Sequence, residues 1–523
     1  MTRTSGAPAP AEAGLGWLPD RPLIAACRSP WAAVPAVAWL ALAAITVAWL
    51  AVDRAPLVAD QVAHVSGAIE FTEEPRAYLT RERQFYPPLW EALTGAILVL
   101  TNWRLDSAVA VTNLAALALL LGSTYAIGCL LASPRVGALA SALLAVYPAV
   151  YVHARAPMLD VPLAAFVAAA VLCLLSTRGF TDRRWSLAFG LVSGLGWLTK
   201  QAFVADIALP LLVVSLAAPR RHETAMNAAM AIVLFLAIAL PWYIPRVGWF
   251  LGDYADIQRD YAHSRGDVET MSLFGLAYYV YGTWHQTTLV LALAAAAALP
   301  LAVRRRRSWL PVAWWLGVVL TSTPIALKDT RFLLPALPAV ALVTAMAVVE
   351  LPLWRPTLAA LLAFAAVQLW AASFGLPGAP DGPVVFNRAE PHEDIALFSQ
   401  NYRLALNDDS RADRSGWGIA DATSQLRGRV AVVGHSFVFY AIRMPAGLRA
   451  KRTGVVDLQL SRTTCADARR TRFDAVVVQV GGPDGIAERD AASCAPGLMH
   501  VREAALDAPQ LLPGAHRIII FER

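Results

Sequence analysis

The sequence predicts a polytopic α-helical membrane protein that ends in a soluble α/β domain, and three observations carry that prediction. First, 57% of the 523 residues are hydrophobic and only 16% are charged, with a mean hydropathy of +0.50, too apolar for a soluble chain of this size. Second, apolar blocks of about 17–25 residues recur from Trp31 to Phe374, the length a helix needs to cross ~30 Å of hydrocarbon. Third, after Gly375 those blocks stop and charge rises.

In chain order, residues 1–30 form a polar tail, rich in Ala, Pro and Gly, holding Arg3, Arg21 and Arg28. The apolar block behind it lacks a clean small-x-small cleavage site, so it reads as a retained first span rather than a signal peptide. Spans are expected at about 31–52, 107–131, 136–151, 161–177, 185–200, 203–218, 226–244, 286–302, 309–327, 332–350 and 356–374. The basic tail places the N-terminus in the cytoplasm of a cell membrane. Arg135, then Arg178, Arg183 and Arg184, then Arg220 and Arg221, then Arg304 to Arg307, then Arg355 fall on that same side. This agreement requires that the apolar piece Leu89–Leu100 does not cross. At about twelve residues it is short for a crossing and is expected as an interfacial or re-entrant helix in the first outer loop. The net charge of +6 is accounted for by these orientation signals, so no nucleic-acid partner is expected.

With those sides fixed, Asp60, the segment around Asp160, Lys200 with Gln201, the stretch Arg246 to His285, the run Lys328-Asp329-Thr330-Arg331 and the C-terminal region share the outer face. Residues 31–377 thus form the membrane module and 378–523 an extracytoplasmic domain. Strand-like runs in that domain stand at Val430–Val433, Ala475–Val480 and Arg517–Phe521. Its two cysteines, Cys465 and Cys494, either form a disulfide, which an exported location permits, or stay unpaired and buried. Gly434-His435-Ser436-Phe437-Val438 lacks the second glycine of a nucleophile elbow, and Gly481-Gly482-Pro483-Asp484-Gly485 lacks the Lys-Ser/Thr end of a phosphate loop and reads as a turn.

The densest concentration of charge in the apolar half is Val58–Trp90, read as a loop whose end, Tyr86-Pro87-Pro88-Leu89, cannot continue a helix through its prolines. Asp60, four residues before His64, is either a solvated loop acid or a carboxylate at the rim of an apolar cavity. In the second case desolvation would raise its pKa and suit it to act as a general base near neutral pH. Asp160, two residues before Pro162, makes a good helix N-cap, and a cap at an outer helix end also points toward the cavity. Lys200, at a span end, either snorkels to the interface or contacts a lipid phosphate. Lys328 and Arg331 offer a further pair of cations. Asp206 lies about a turn inside a span, where ionisable groups are costly and usually functional. The histidines are too scattered to indicate a metal site.

The combination of an acidic stretch after the first span, Tyr86-Pro-Pro-Leu, Ala-Arg155-x-x-Met-Leu-Asp160-x-Pro-Leu, Gly-Leu-x-x-Leu-Thr-Lys200 and Arg331-Phe-Leu-Leu-Pro-x-Leu-Pro resembles the bacterial branch of the protein-O-mannosyltransferase family. That branch includes the aminoarabinose transferases of lipid A and belongs to the GT-C superfamily of polyprenyl-phosphate-sugar glycosyltransferases. The likeness spans about residues 31 to 350. It implies a GT-C-like module of about eleven transmembrane helices, with Asp60 as the first-loop catalytic aspartate, Asp160 as the second-loop acid and Lys200 as a phosphate ligand. Two positions depart from the family pattern: Gln61 stands where Glu is usual, and Phe85-Tyr86 where a basic residue often precedes Pro-Pro. Phosphate contact is accordingly expected from Arg81, Arg83, Lys328 or Arg331, with His64, Tyr86 and Arg155 nearby. Monophosphate donors of this kind usually require no cofactor, though a divalent ion bridging Asp60 and Asp160 is left open.

The expected activity is inverting transfer of a sugar from a polyprenyl-phosphate carrier to an acceptor hydroxyl on protein, lipid or cell-wall glycan, outside the membrane. The leaving phosphate needs no general acid, so one base and a set of cations suffice. The alternatives are a transporter or flippase of lipid-linked sugars, which would show broken helices in paired repeats and ionisable groups near mid-membrane, and a non-catalytic glycolipid-binding scaffold.

Overall fold

The computed structural model describes residues 28–57, 59–265, 267–377, 384–390, 393–398, 412, 418–453, 458–481, 485–506 and 516–523. Arg3, Arg21, Val58 and the centre of the Gly481–Gly485 turn lie outside them.

Each expected span coincides with a helix or a broken pair of helices. Helix α1 (Ala33–Val52) ends where Asp53 turns extended ahead of Pro56. The stretch 59–90 is then mostly helical, against expectation: α2 (Ala59–Glu73) and α3 (Pro75–Thr80) are separated by Glu74, and Pro75 opens α3 in its first turn. The reason is a stripe that the charge count obscures. Val62, Val65 and Ala68 recur at helical spacing, and all three are buried, so α2 is amphipathic. Helix α4 (Leu89–Leu100) follows Pro87-Pro88 and packs on α2 and on α5 (Leu105–Leu131).

The third expected span is two helices, α6 (Pro134–Ala145) and α7 (Pro148–His153), because Pro148 denies the chain an N–H for continuation and starts a new helix. Helices α8 (Asp160–Ser176), α9 (Arg183–Trp197), α10 (Phe203–Ala217) and α11 (His222–Tyr243) succeed one another. The segment to residue 285 carries short α12 (Val247–Leu251) and α13 (Asp253–Arg265), then α14 (Leu273–Thr287). Helices α15 (Leu289–Val303) and α16 (Trp309–Ser322), a 3₁₀ helix at Thr330–Ala336 running into α17 (Leu337–Val348), and α18 (Trp354–Phe374) complete the module. Among the described residues, Pro30–Val52, Leu105–Leu131, His222–Leu251, Thr330–Val348 and Trp354–Phe374 are long and apolar enough to cross a membrane by length and composition; the other apolar helices are shorter. The largest core lies where α5, α6, α8 and α17 meet, built mostly from Ala, Leu and Val.

Beyond the module, β1 (Val384–Glu390) and β2 (Glu393–Phe398) form an antiparallel hairpin. A five-stranded sheet then forms from β3 (Gly428–Val433), β4 (Leu458–Arg462), β5 (Ala475–Val480), β6 (Met499–Leu506) and β7 (His516–Glu522) in the order β4-β3-β5-β7-β6. Strands β4, β3 and β5 are parallel; β7 runs antiparallel to both β5 and β6. The three strand runs expected from the sequence are β3, β5 and β7. All are buried on two faces, with Val430, Val432 and Val477 in one cluster and Val433, Val476 and Val478 in the other, which is why they read as continuous apolar runs. Helix α19 (Ser436–Thr453) connects β3 to β4, and Gly434 to Val438 is the turn and first residues of that helix. Cys465, opening α20 (Cys465–Arg470), is disulfide-bonded to Cys494, with Cα atoms 4.8 Å apart. The sheet domain meets the module through α19: Met444 packs with Val62 and Val65 of α2, and the Ser66 hydroxyl points to its sulfur at 3.9 Å.

Candidate active site

A cavity of about 850 Å³ opens beside the first turn of α2, the α9–α10 turn, α13 and the segment from Ser322 to Phe332. Three local features set its walls. The backbone N–H of Leu89, at the start of α4, donates to the carbonyl of Leu198 at 3.0 Å, tying the Pro87-Pro88 segment to the α9 end. Trp90 donates through Nε1 to the Asn113 Oδ1 of α5 at 3.2 Å, and Asn113 Nδ2 donates to the Ala156 carbonyl at 2.6 Å, which fixes the turn preceding Asp160. At the α9 end the chain folds back so closely that a Cβ on Gly196 would stand 2.3 Å from the Phe203 ring. This chain therefore needs glycine at 196, a position the Gly-Leu-x-x-Leu-Thr-Lys motif leaves open, to bring Lys200 over the cavity. Gly196→Leu should overpack this contact by roughly 1–3 kcal/mol and lower the melting temperature by several degrees, with Lys200 displaced. A melt identical to that of the parent protein would show that the turn has room.

Two carboxylate–cation pairs stand here: Asp60, Arg331 and Lys200 line the cavity, while Asp160 is buried outside its lining. Asp60, in the first turn of α2, accepts from Arg331 Nη2 at 2.7 Å. Arg331 is held on its other side by Asp329, whose Oδ2 lies 2.9 Å from Nε and whose Oδ1 accepts the Arg331 backbone N–H at 3.1 Å. Asp160 accepts from Lys200 Nζ at 2.7 Å through Oδ1, and the ammonium also lies 5.3 Å from the centre of the Phe332 ring. Asp160 is the first residue of α8, capped by Leu159 without a side-chain bond, so the expected N-cap role is not what holds it. Its carboxylate turns instead to Lys200, while its position in the first helical turn remains favourable for negative charge.

Asp60 is also corrected in its electrostatics. Burial by itself raises the carboxyl, as expected from the sequence, but the Arg331 guanidinium, helped by His64 and Lys200, outweighs burial and holds it below the ordinary carboxylate value. Tyr86 lines the cavity; burial and the Asp60 charge push its phenol well above the usual range, which keeps it a neutral donor. His64 lies behind the wall, its Nδ1 3.3 Å from Glu91 Oε1 and its ring 4.3 Å from that of Tyr86.

The remaining expected ligands divide. Arg83 reaches the cavity rim and pairs loosely with exposed Asp253 at 3.4 Å. Arg81 faces Glu70 instead. Lys328 is buried away from the cavity lining, donating from Nζ to the Thr323 carbonyl at 2.6 Å beneath the Tyr279 ring. Arg155 donates to Ser373 at 2.6 Å between Trp49 and Tyr151. Among the described residues no group of three or more His, Cys, Asp or Glu side chains converges as a metal site, and Asp60 and Asp160 each face a cation. The sequence reading passed over Asp329, Glu91 and Tyr254, all of which line the cavity. Asp329 had a signal, an acid two residues before Arg331 at the mouth of a turn; Glu91 and Tyr254 carried none outside their tertiary setting.

A family model described as dolichyl-phosphate-mannose-protein mannosyltransferase matches residues 86–249. No curated protein gives a significant match to the sequence. Among solved structures, ArnT from Cupriavidus metallidurans bound to undecaprenyl phosphate superposes with a TM-score of 0.61 at 16% identity, covering 93% of this chain and 97% of ArnT. The apo state of the same protein gives 0.58 at 15% identity over the same shares. The chain thus has the ArnT-like GT-C fold. The resemblance expected from the sequence is found in both the family model and the fold, and the superposition reaches well past residue 350.

Proposed function

We propose that the chain is an inverting glycosyltransferase that moves a sugar from a polyprenyl-phosphate carrier to an acceptor hydroxyl on the outer face of the cell membrane, with the N-terminus cytoplasmic and the sheet domain outside. The observation that carries this reading is the pairing of Asp60 with Arg331 and of Asp160 with Lys200 on one cavity, each at 2.7 Å, within a fold shared with a protein solved with undecaprenyl phosphate. The cavity continues past the charged groups along Ile257, Pro324, Ile325 and Leu327, an apolar lip suited to an isoprenoid tail.

In this mechanism the acceptor oxygen attacks the anomeric carbon as the bond from that carbon to the phosphate oxygen breaks, and the configuration inverts. The phosphodiester donor carries one negative charge, and the departing polyprenyl monophosphate carries two. Lys200 and Arg331 therefore bind the leaving group more strongly in the transition state than the donor in the ground state, which is the condition for raising kcat. Asp60 takes the hydroxyl proton. While paired with Arg331 it is a weak base; a phosphate that draws on the same guanidinium loosens that pairing and raises its basicity where and when the donor is bound. Asp160 anchors Lys200. No cofactor is needed for these steps, and protein, lipid and cell-wall glycan all present a suitable acceptor hydroxyl.

The depressed Asp60 carboxyl has a pH signature. A group whose folded value is lowered is ionised above its unfolded value, about 4 for Asp, and loses that state only as pH falls through the folded one. Because kcat/KM reports the free enzyme, it should show no acid limb assignable to Asp60 between about pH 5 and pH 8. The decisive assay is transfer from a labelled polyprenyl-phosphate sugar in membranes bearing the protein. An acid limb in kcat/KM near about pH 6–7, absent in Asp60→Asn, would refute the pairing with Arg331 in the donor-free protein.

A further inference from the structure

The cation pairs account for a phosphate but not for three other oxygens on the same wall. Asp206, in the first turn of α10, lines the cavity at 3% exposure, and its Oδ2 is buried with no hydrogen-bond donor from the protein. Gln201, at the α9–α10 turn, gives its Nε2 hydrogens to the Tyr254 hydroxyl at 3.2 Å, while its Oε1 is buried and likewise without a donor. Glu91 gives Oε1 to His64, and its Oε2 is in the same condition. A buried acceptor left without a donor costs on the order of 1–3 kcal/mol, more for a carboxylate, so three of them along one cavity wall describe a surface built to receive hydrogen-bond donors. The phosphate of a donor lipid cannot supply them, since it brings only acceptors and negative charge. A sugar ring brings several O–H groups.

Resting on the reading above, we infer that Asp206 and Gln201, assisted by Glu91, form the subsite for the sugar of the donor, accepting hydrogen bonds from its free hydroxyls. Gln201 follows Lys200 directly, and Asp206, six residues after Lys200, lies within Coulombic reach of Lys200 and Asp160, so these acceptors adjoin the phosphate cations. That order matches a sugar phosphate lying along the wall. Asp206 thereby sets specificity without touching the breaking bond.

The test compares two probes on the purified full-length protein: undecaprenyl phosphate alone, and undecaprenyl phosphate carrying glucose, galactose or mannose. The parent protein should bind at least one of the neutral glycolipids about 10- to 100-fold more tightly than the sugar-free lipid, the expected worth of charge-assisted hydrogen bonds. In Asp206→Asn, and more fully in Asp206→Ala, that preference should shrink toward unity while affinity for the sugar-free lipid is unchanged, which also shows that the variants fold. A preference retained in both variants, or an equal loss for both probes, overturns the subsite assignment. Binding of neither lipid by the parent protein removes the glycosyltransferase reading itself.

Discussion

Asp60→Asn is expected to lower sugar transfer by roughly 10²- to 10⁴-fold, the range associated with loss of a general base, while leaving the fold intact. The asymmetry follows from where the residue sits. Its side chain is about a third exposed and its partner Arg331 keeps a second carboxylate, Asp329, so replacing the Asp60 charge leaves no isolated buried ion. Partly exposed ion pairs contribute little to stability, and the change in melting temperature should be small. Asn also preserves one acceptor oxygen toward Arg331, so the arginine should remain over the cavity and donor binding should persist. The measurement is transfer of a labelled polyprenyl-phosphate sugar alongside a thermal melt. Undiminished transfer would take Asp60 out of the mechanism; a collapse of the melt would recast it as a structural residue.

Arg331→Gln is expected to damage both properties at once. Arg331 is only 12% exposed and lies between Asp60 and the 5% exposed Asp329, so removing its charge leaves Asp329 as an uncompensated buried carboxylate. Breaking a buried pair in this way costs about 3–5 kcal/mol, and the lost transition-state cation costs a further 10²- to 10³-fold in kcat. Arg331→Lys separates the two effects. Its ammonium keeps the charge but offers no planar fork to span Asp329 and Asp60 together, so stability should largely recover while transfer stays depressed at least about tenfold. If lysine restored full activity, the role of Arg331 would be charge alone and the sharing of its guanidinium between base and phosphate would have to be abandoned.

How much of this site was legible in the sequence depended on whether a residue's role is local. Lys200 and Asp160 stood in recognisable motifs, and their convergence on one face followed from counting sides. Their direct pairing did not, because the 40-residue separation between them is closed only by the packing of α8 against the α9–α10 turn. Asp160 was read as a cap from its neighbour Pro162, a local rule that gave way to a cation supplied from elsewhere. For Asp60 the sequence leaves open a solvated loop acid or a carboxyl raised by desolvation. The guanidinium that reverses the shift comes from 271 residues away. Arg81 and Lys328 looked equally suitable as phosphate ligands because charge is visible in a sequence and direction is not.

What the sequence by itself determined was the class of molecule. The lengths of the apolar helices and the buried valine runs of β3 and β5 each depend on the short-range exchange of apolar surface between water and lipid or protein. That exchange is written in composition and periodicity. The stripe of Val62, Val65 and Ala68 that makes α2 a helix was written there too, beneath its charges. The tertiary structure alone decided which cation meets which carboxylate and which acids keep an oxygen without a donor from the protein. Electrostatic state and hydrogen-bond satisfaction are properties of groups brought together across hundreds of residues, and the distance between them is fixed only when the helices have packed.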